Sequence, residues 1–229
     1  MPNVIKIILV VICSYFLGNI TFARPVSKSL HDDITTHGSG NPGTMNMMRT
    51  YGAKAGFLTL LLDALKGVVS SLSAFYIFGG KDGGEMAQLM QLVGGFSCFI
   101  GHIYPVIYKF KGGKGVATAA GVAFTVNPLL MTFIALLFVG ILLLTEIASL
   151  SSMVSTAMFI FIHTVFLVLD GYFYCLIPLY LILFFEVYAH RANIVRLINH
   201  NENKVHIRKV FAKLSKKNKT ENDGDTQSN

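Results

Sequence analysis

Charge is scarce in this sequence. Only 14% of the residues are Asp, Glu, Lys or Arg, against about 25% in soluble domains, which excludes a surface that lies mostly in water. The three cysteines, Cys13, Cys98 and Cys175, each fall inside an apolar run. They lack metal-ligand spacing and a pairing framework, so they read as small apolar side chains rather than as a zinc module or a disulfide scaffold. No cluster has the spacing of a metal site, and neither metal nor cofactor is expected. A Walker A loop is missing, and so is Ser-His-Asp spacing. No internal repeat is found, which argues against a transporter built from two related halves.

What is present is apolar length. Of 229 residues, 53% are hydrophobic, and the mean hydropathy is +0.57. This predicts an all-α, polytopic membrane helix bundle, with one transmembrane domain over 1–200 and a basic, polar tail over 201–229. The closing "SKKNKTENDGDTQSN" has no apolar periodicity and is expected to be disordered. A net charge of +7 raises nucleic acid as a partner, but no nucleic-acid module is present. In a membrane chain such an excess reports topology and contact with anionic lipid headgroups.

Apolar runs long enough to cross a bilayer lie at 4–23, 53–78, 86–107, 128–145, 148–169 and 171–189. The first has a thin basic flank and no convincing small-residue site before Arg24, unlike a cleaved signal peptide. The stretch 116–144 would be about 43 Å long as one helix, against a hydrocarbon core of about 30 Å. Asn127-Pro128 supplies a natural break, leaving 116–127 as a short enclosed helix. The segments 24–54, 108–115 and 190–229 hold 4, 3 and 9 of the 19 Lys/Arg. The positive-inside rule puts all three in the cytoplasm only with about seven crossings, the N-terminus outside and the C-terminus inside.

Four polar stretches then share the cytoplasmic face. "HGSGNPGTMNMMR", His37–Arg49, is a turn-forming loop able to cradle an anion, with the Ser39 hydroxyl and the Arg49 fork available to phosphate. The alternative is a plain interhelical turn. Asp63 and Lys66 in "DALKG" share a helix face about ten residues into the second span. An isolated charge there costs at least about 2.5–3.5 kcal/mol, so they read as a paired, helix-locking unit, direct catalysis being the alternative. "KFKGGKGVAT", 109–118, sets lysines around glycines at a helix start, where free N–H groups and the helix dipole favour an anion. "HRANIVRLINHNE", His190–Glu202, places His190 and Asn193 to reach a substrate hydroxyl together, or forms an interfacial amphipathic helix on headgroups. Together they suggest handling of one or two phosphorylated molecules at a lipid boundary. A transporter for a phosphorylated metabolite is the other reading; it calls for midplane charge in both halves, whereas only Asp63 and Lys66 lie deep.

From Ser14 to Glu202 the sequence resembles the bacterial acylphosphate-dependent glycerol-3-phosphate acyltransferase family. The resemblance rests on "SYFLGN", "GSGNPG...N..R", "D..KG", "GH..P...KFKGGKGVAT" and "HR.NI.RL....E", in that order. It implies attack of the 1-hydroxyl of glycerol 3-phosphate on a fatty acyl phosphate, giving lysophosphatidic acid and phosphate, the first acylation in phospholipid synthesis. It implies catalytic roles for Ser39, Arg49, Lys114, His190 and Asn193, and substrate contacts from Asn41, Asn46, Gly112, Gly113, Gly115 and Ser149. Asp63, Lys66 and Glu202 would support them. It further implies a bacterial cytoplasmic (inner) membrane location with a cytoplasmic active site, and coupling to an enzyme that makes the acyl phosphate. Oligomeric state is left open, a monomer being compatible. The chain departs from the family pattern at Thr35, Thr44, Met45, Glu146 and His200; Met45 removes a hydroxyl from the first loop.

Overall fold

The computed structural model describes residues 3–205, and among them every regular element is helical. The disordered-tail reading of 215–229 lies outside the described residues. Ten α-helices follow in order: α1 (Asn3–Asn19), α2 (Ala23–Ser29), α3 (Thr44–Tyr51), α4 (Ala53–Ile77), α5 (Gly84–Ile103), α6 (Val116–Val126), α7 (Pro128–Thr145), α8 (Ala148–Leu169), α9 (Leu176–Ala189) and α10 (Arg191–Ile198).

Five segments are long and apolar enough to cross a bilayer: Asn3–Ser29, Ala53–Ile77, Gly80–Tyr108, Pro128–Thr145 and Ala148–Leu169. A sixth counts if Phe173–Ala189 and Arg191–Ile198, bent by 57°, form one span. Helix α6 has 11 residues, about half a hydrocarbon core at 1.5 Å per residue.

The break at Asn127-Pro128 is present and has a local cause. The Asn127 side chain caps α7 by accepting from the Leu130 amide at 3.0 Å, and Pro128 begins the helix, where no amide donor is needed. Helix α7 buries only Ile134, and Leu144 is 87% exposed. In a bilayer such a helix faces lipid.

Helix α5 is the hub, packed against α1, α4, α6 and α9, while α7 pairs with α8. The two largest of the four buried apolar clusters among the described residues gather around Phe99, Ile103, Ala119 and Ile182 and around Leu92, Val122, Ile134 and Phe159. Between α4 and α6 the backbones touch. A Cβ on Gly67 would meet the Thr118 carbonyl, and one on Gly121 would meet the carbonyl of Ala64. Small residues permit this approach, the usual route to tight helix pairing in lipid.

The first apolar run does not continue as helix to residue 23. It stops at Asn19 because the carbonyls of Gly18 and Ile20 turn to the Lys66 ammonium, at 3.0 and 2.7 Å. That turn swings α2 and α3 to the end of the bundle where residues 104–115 and the start of α10 also lie, and these segments wall one cleft.

Candidate active site

The cleft has a volume of about 1350 Å³. Its lining brings together all four polar stretches, including Ser39, Asn41, Arg49, Asp63, Lys114, Ser149, His190, Asn193 and Glu202.

Behind the first loop stands Asn46, 2% exposed. Its amide donates to the carbonyls of His37 at 2.9 Å and Ile34 at 3.3 Å, and its Oδ1 accepts from the Ser39 amide at 3.2 Å. With both ends engaged, Asn46 shapes the loop from within, whereas Ser39 and Arg49 are exposed to the cleft. The Ser39 hydroxyl also accepts from the Asn41 amide at 3.4 Å.

The glycine loop divides its labour. The amides of Gly112 and Gly113 donate back to the carbonyls of Ile103 and His102, both at 3.1 Å. Those glycines therefore anchor the loop to the end of α5. Gly115 has φ +83°, a left-handed conformation that side-chain-bearing residues rarely adopt. It aims the chain into α6, whose first-turn amides have no intrahelical acceptor. What the loop presents to an anion is thus Lys114 and the N-terminus of α6.

Lys114 donates to Asn193 Oδ1. Asn193 Nδ2 donates in turn to Glu202 Oε1 at 2.7 Å, and Arg196 Nε donates to Glu202 Oε2 at 2.9 Å. One carboxylate thereby orients an amide and a guanidinium. The Lys114 pKa is lowered to about 8, chiefly by burial and with help from the nearby Arg196 and Arg49 charges, against the opposing pull of Glu202. Three cations held this close invite a polyvalent anion.

His190 is 2% exposed. Its Nδ1 lies 2.9 Å from the Glu186 carbonyl, which can only accept, so Nδ1 carries a proton. In the neutral ring Nε2 then presents a lone pair. It faces the Ser152 hydroxyl at 3.3 Å. Sequence reasoning chose Ser149 from the "SL.S" run and passed over Ser152. Ser149 Oγ is buried and has no hydrogen-bond partner among the described residues, while Ser152 touches the imidazole directly. The spacing held the signal, since Ser149 and Ser152 are three apart and share a helix face.

Asp63 and Lys66 form a 2.9 Å ion pair with both side chains 1% exposed. His102, also passed over although it stands in "GHIYP", joins them: its Nδ1 lies 2.8 Å from Lys66 Nζ and 3.5 Å from Asp63 Oδ1. The Phe22 amide completes the unit by donating to Asp63 at 3.4 Å. Asp63 and His102 touch the cleft floor, but their contacts tie α1, α4 and α5 together.

A second cationic group occupies another part of the lining. Arg24 stacks on Tyr108, 4.3 Å from the ring centroid, and donates to the Lys111 carbonyl at 3.0 Å. Lys109 and Lys111 line the same wall. Among the described residues, no group of three or more His, Cys, Asp and Glu is placed to hold a metal ion.

Helices that seal apolar surface towards lipid, and a cationic cleft at their ends, define a membrane-embedded enzyme that works on phosphorylated molecules. The chain belongs to the glycerol-3-phosphate acyltransferase family, whose model matches residues 8–200. A glycerol-3-phosphate acyltransferase from Finegoldia magna is 36% identical over 204 residues, covering 89% of this chain and 98% of its own length. Two crystal structures of PlsY, an integral membrane glycerol 3-phosphate acyltransferase, share the fold. The glycerol 3-phosphate form aligns with a TM-score of 0.79 at 36% identity, covering 90% of this chain and 98% of that one. The lysophosphatidic acid form gives 0.75 at 37% identity, covering 86% and 94%.

Proposed function

We propose that this protein transfers a fatty acyl group from an acyl phosphate to the 1-hydroxyl of glycerol 3-phosphate at the cytoplasmic face of a bacterial inner membrane. In this reading α1, α4, α5, the short α6, α7, α8 and α9 cross the bilayer, with the N-terminus outside. The transmembrane catalytic domain takes up residues 1–200, and 201–229 form its cytoplasmic tail.

One observation carries the reading. Lys114, joined to Asn193, and His190, whose Nε2 faces the Ser152 hydroxyl, line one cleft that continues into an apolar cavity between α6, α8 and α9. The two share Val116, Phe138 and Ser152 in their walls. Both substrates carry phosphate and one carries a long apolar chain, so a cationic mouth over an apolar cavity fits the pair. Arg49, Lys114 and Arg196 hold one phosphate, Arg24, Lys109 and Lys111 the other. His190 and Asn193 orient the glycerol hydroxyls.

In the reaction the 1-hydroxyl oxygen bonds to the acyl carbonyl carbon and the bond from that carbon to the phosphate oxygen breaks. The hydroxyl proton leaves with the departing phosphate. An acyl phosphate is a mixed anhydride with a good leaving group, so positioning and charge neutralisation supply most of the catalysis. His190 contributes its lone pair to hold the attacking hydroxyl in place. A separate enzyme must supply the acyl phosphate, and the product passes to membrane lipids.

The test is phosphate release by purified protein given glycerol 3-phosphate and palmitoyl phosphate, beside a Lys114→Ala variant and a palmitoyl-CoA control. Release that needs both substrates, ignores the CoA ester and collapses in the variant is expected. Unaltered activity in Lys114→Ala would remove that lysine from the phosphate site; turnover of the CoA ester would overturn the choice of donor.

A further inference from the structure

His102, in the last turn of α5, has one ring nitrogen committed to the protein interior and one that is not. The residue is 3% exposed. Its Nδ1 lies 2.8 Å from the Lys66 ammonium, which can only donate, so Nδ1 accepts and the proton of the neutral ring sits on Nε2. Asp63 approaches the same Nδ1, at 3.5 Å, and does not engage Nε2. Among the described residues the Nε2–H has no acceptor. It is not sealed off either. Both ring nitrogens of His163 on α8 are enclosed and unpartnered, whereas His102 lines the cleft and its Nε2 is not enclosed.

Gly113 keeps that nitrogen uncovered. A Cβ there would collide with Nε2 and come within 3.1 Å of the Pro42 carbonyl. Gly113 does not have a positive φ, so the need for glycine here is spatial rather than conformational. The opening over Nε2 therefore lies where the glycine loop approaches the first loop, one residue from Lys114. Backbone donors are missing at this point of the floor, because the Gly112 and Gly113 amides are taken by the carbonyls of Ile103 and His102. The imidazole is the donor on offer. A buried donor left unmet is costly, and such groups call for an explanation.

We propose that His102 is a substrate-binding residue whose Nε2–H donates to an oxygen of a phosphate group lodged between the first loop and the glycine loop. The surrounding lining carries Arg49, Lys109, Lys111 and Lys114, so the oxygen that arrives is anionic. Those cations attract a phosphate without fixing its orientation, whereas a ring N–H held in one tautomer bonds along one direction. Lys66 supplies that hold. Its ammonium is pinned by Asp63 and by the carbonyls of Gly18 and Ile20, so the donor is set before substrate enters. The buried ion pair thus serves recognition as well as helix packing. Glycerol 3-phosphate and acyl phosphate both present such an oxygen, and kinetics tell them apart.

This inference rests on the acyl transfer proposed above, and the experiment separates the two. Phosphate release by the full-length protein is measured while glycerol 3-phosphate and palmitoyl phosphate are varied in turn. His102→Phe, which keeps the ring shape and loses the donor, should raise the KM for one of the two by at least about tenfold, the worth of a hydrogen bond to a charged group. The other KM and kcat should stay within about threefold of the parent. His102→Gln places an amide N–H near the position of Nε2 and should restore most of the affected KM. Gly113→Ala lays a methyl over Nε2 without altering His102 or Lys66, and should raise the same KM even if His102→Phe fails to fold. Equal rises in both KM values, a fall confined to kcat, a Gln variant no better than Phe, or an unchanged KM in Gly113→Ala overturns the inference and leaves acyl transfer standing. If the unaltered protein releases no phosphate, the acyl-transfer reading falls, and titration calorimetry with inorganic phosphate decides the role of His102. A Kd raised at least about tenfold in His102→Phe and recovered in His102→Gln upholds it; an unchanged Kd overturns it.

Discussion

Replacing Lys66 with Met tests the framework that holds the cleft in shape. The Lys66 side chain is 1% exposed, and its ammonium meets the Asp63 carboxylate at 2.9 Å, the carbonyls of Gly18 and Ile20 at 3.0 and 2.7 Å, and His102 Nδ1 at 2.8 Å. Met fills similar volume but donates nothing, so one buried charge and two carbonyls lose their donor together. Breaking a buried ion pair by removing one partner costs about 3–5 kcal/mol. For chains of 150–250 residues each kcal/mol moves the melting temperature by about 2–4 °C, so a fall of about 6–20 °C is expected. The protein contains its own reporters: Cys98 and Cys175 are buried free thiols and Cys13 is exposed. In a Cys13→Ser background, a thiol-reactive fluorogenic dye should report only unfolding. Asp63→Asn, which keeps the shape and one acceptor, should cost less than half as much. A Lys66→Met melting temperature within about 2 °C of the parent, a difference under about 1 kcal/mol, would refute the view that this unit ties α1, α4 and α5 together.

Other consequences are open to measurement. Lys114 is a cation below its pKa of about 8, so kcat/KM for the phosphorylated substrates should fall as pH rises through 8; Lys114→Arg, charged throughout, should flatten that limb of the profile. Ser152→Ala should lower kcat/KM by about fivefold through loss of the contact to His190, and Ser149→Ala by less than threefold, as steady-state kinetics would show, since a hydrogen bond is worth about 1 kcal/mol and the Ser149 hydroxyl makes none. Asn46→Ala frees the backbone of residues 34–39 and should raise the KM for a phosphorylated substrate more than it lowers kcat. Gly115→Ala forces a Cβ onto the Phe99 ring at φ +83°; activity should drop at least about fivefold for a strain of about 1–3 kcal/mol, and full activity would show that the turn into α6 is not needed.

Much of this architecture was readable before any coordinates. Helices α4, α5, α7 and α8 begin and end within a few residues of the apolar runs that predict them, because apolar length and the Asn127-Pro128 break are local properties. The first run, 4–23, falls within the Asn3–Ser29 span, but the helix break after Asn19 is not legible in it: the amine that bonds the Gly18 and Ile20 carbonyls belongs to α4, and no window on residues 4–23 contains it. The cleft residues were legible as motifs, yet their division of labour was not. Asn46 and Gly113 sit inside glycine-rich stretches that resemble substrate loops, but their bonding runs backward into the protein, a fact only tertiary geometry supplies. His102 and Ser152 escaped notice for the opposite reason. A lone histidine or serine in apolar sequence carries no signal until its neighbour from another helix is in place.

The bond from Lys66 to the end of α1 also bears on how the chain matures. The carbonyls of Gly18 and Ile20 find their donor 48 and 46 residues further along. During synthesis the first hydrophobic segment therefore reaches the bilayer before the group that satisfies its terminus has been made. Until α4 follows, that end has only water or the headgroup layer to bond, since unmet carbonyls are not tolerated in hydrocarbon. His102 on α5 completes the unit still later. The first segment can settle at its final depth only when the third long one has arrived, so α1, α4 and α5 should consolidate as one assembly event, with α7, α8 and α9 added around a centre already set.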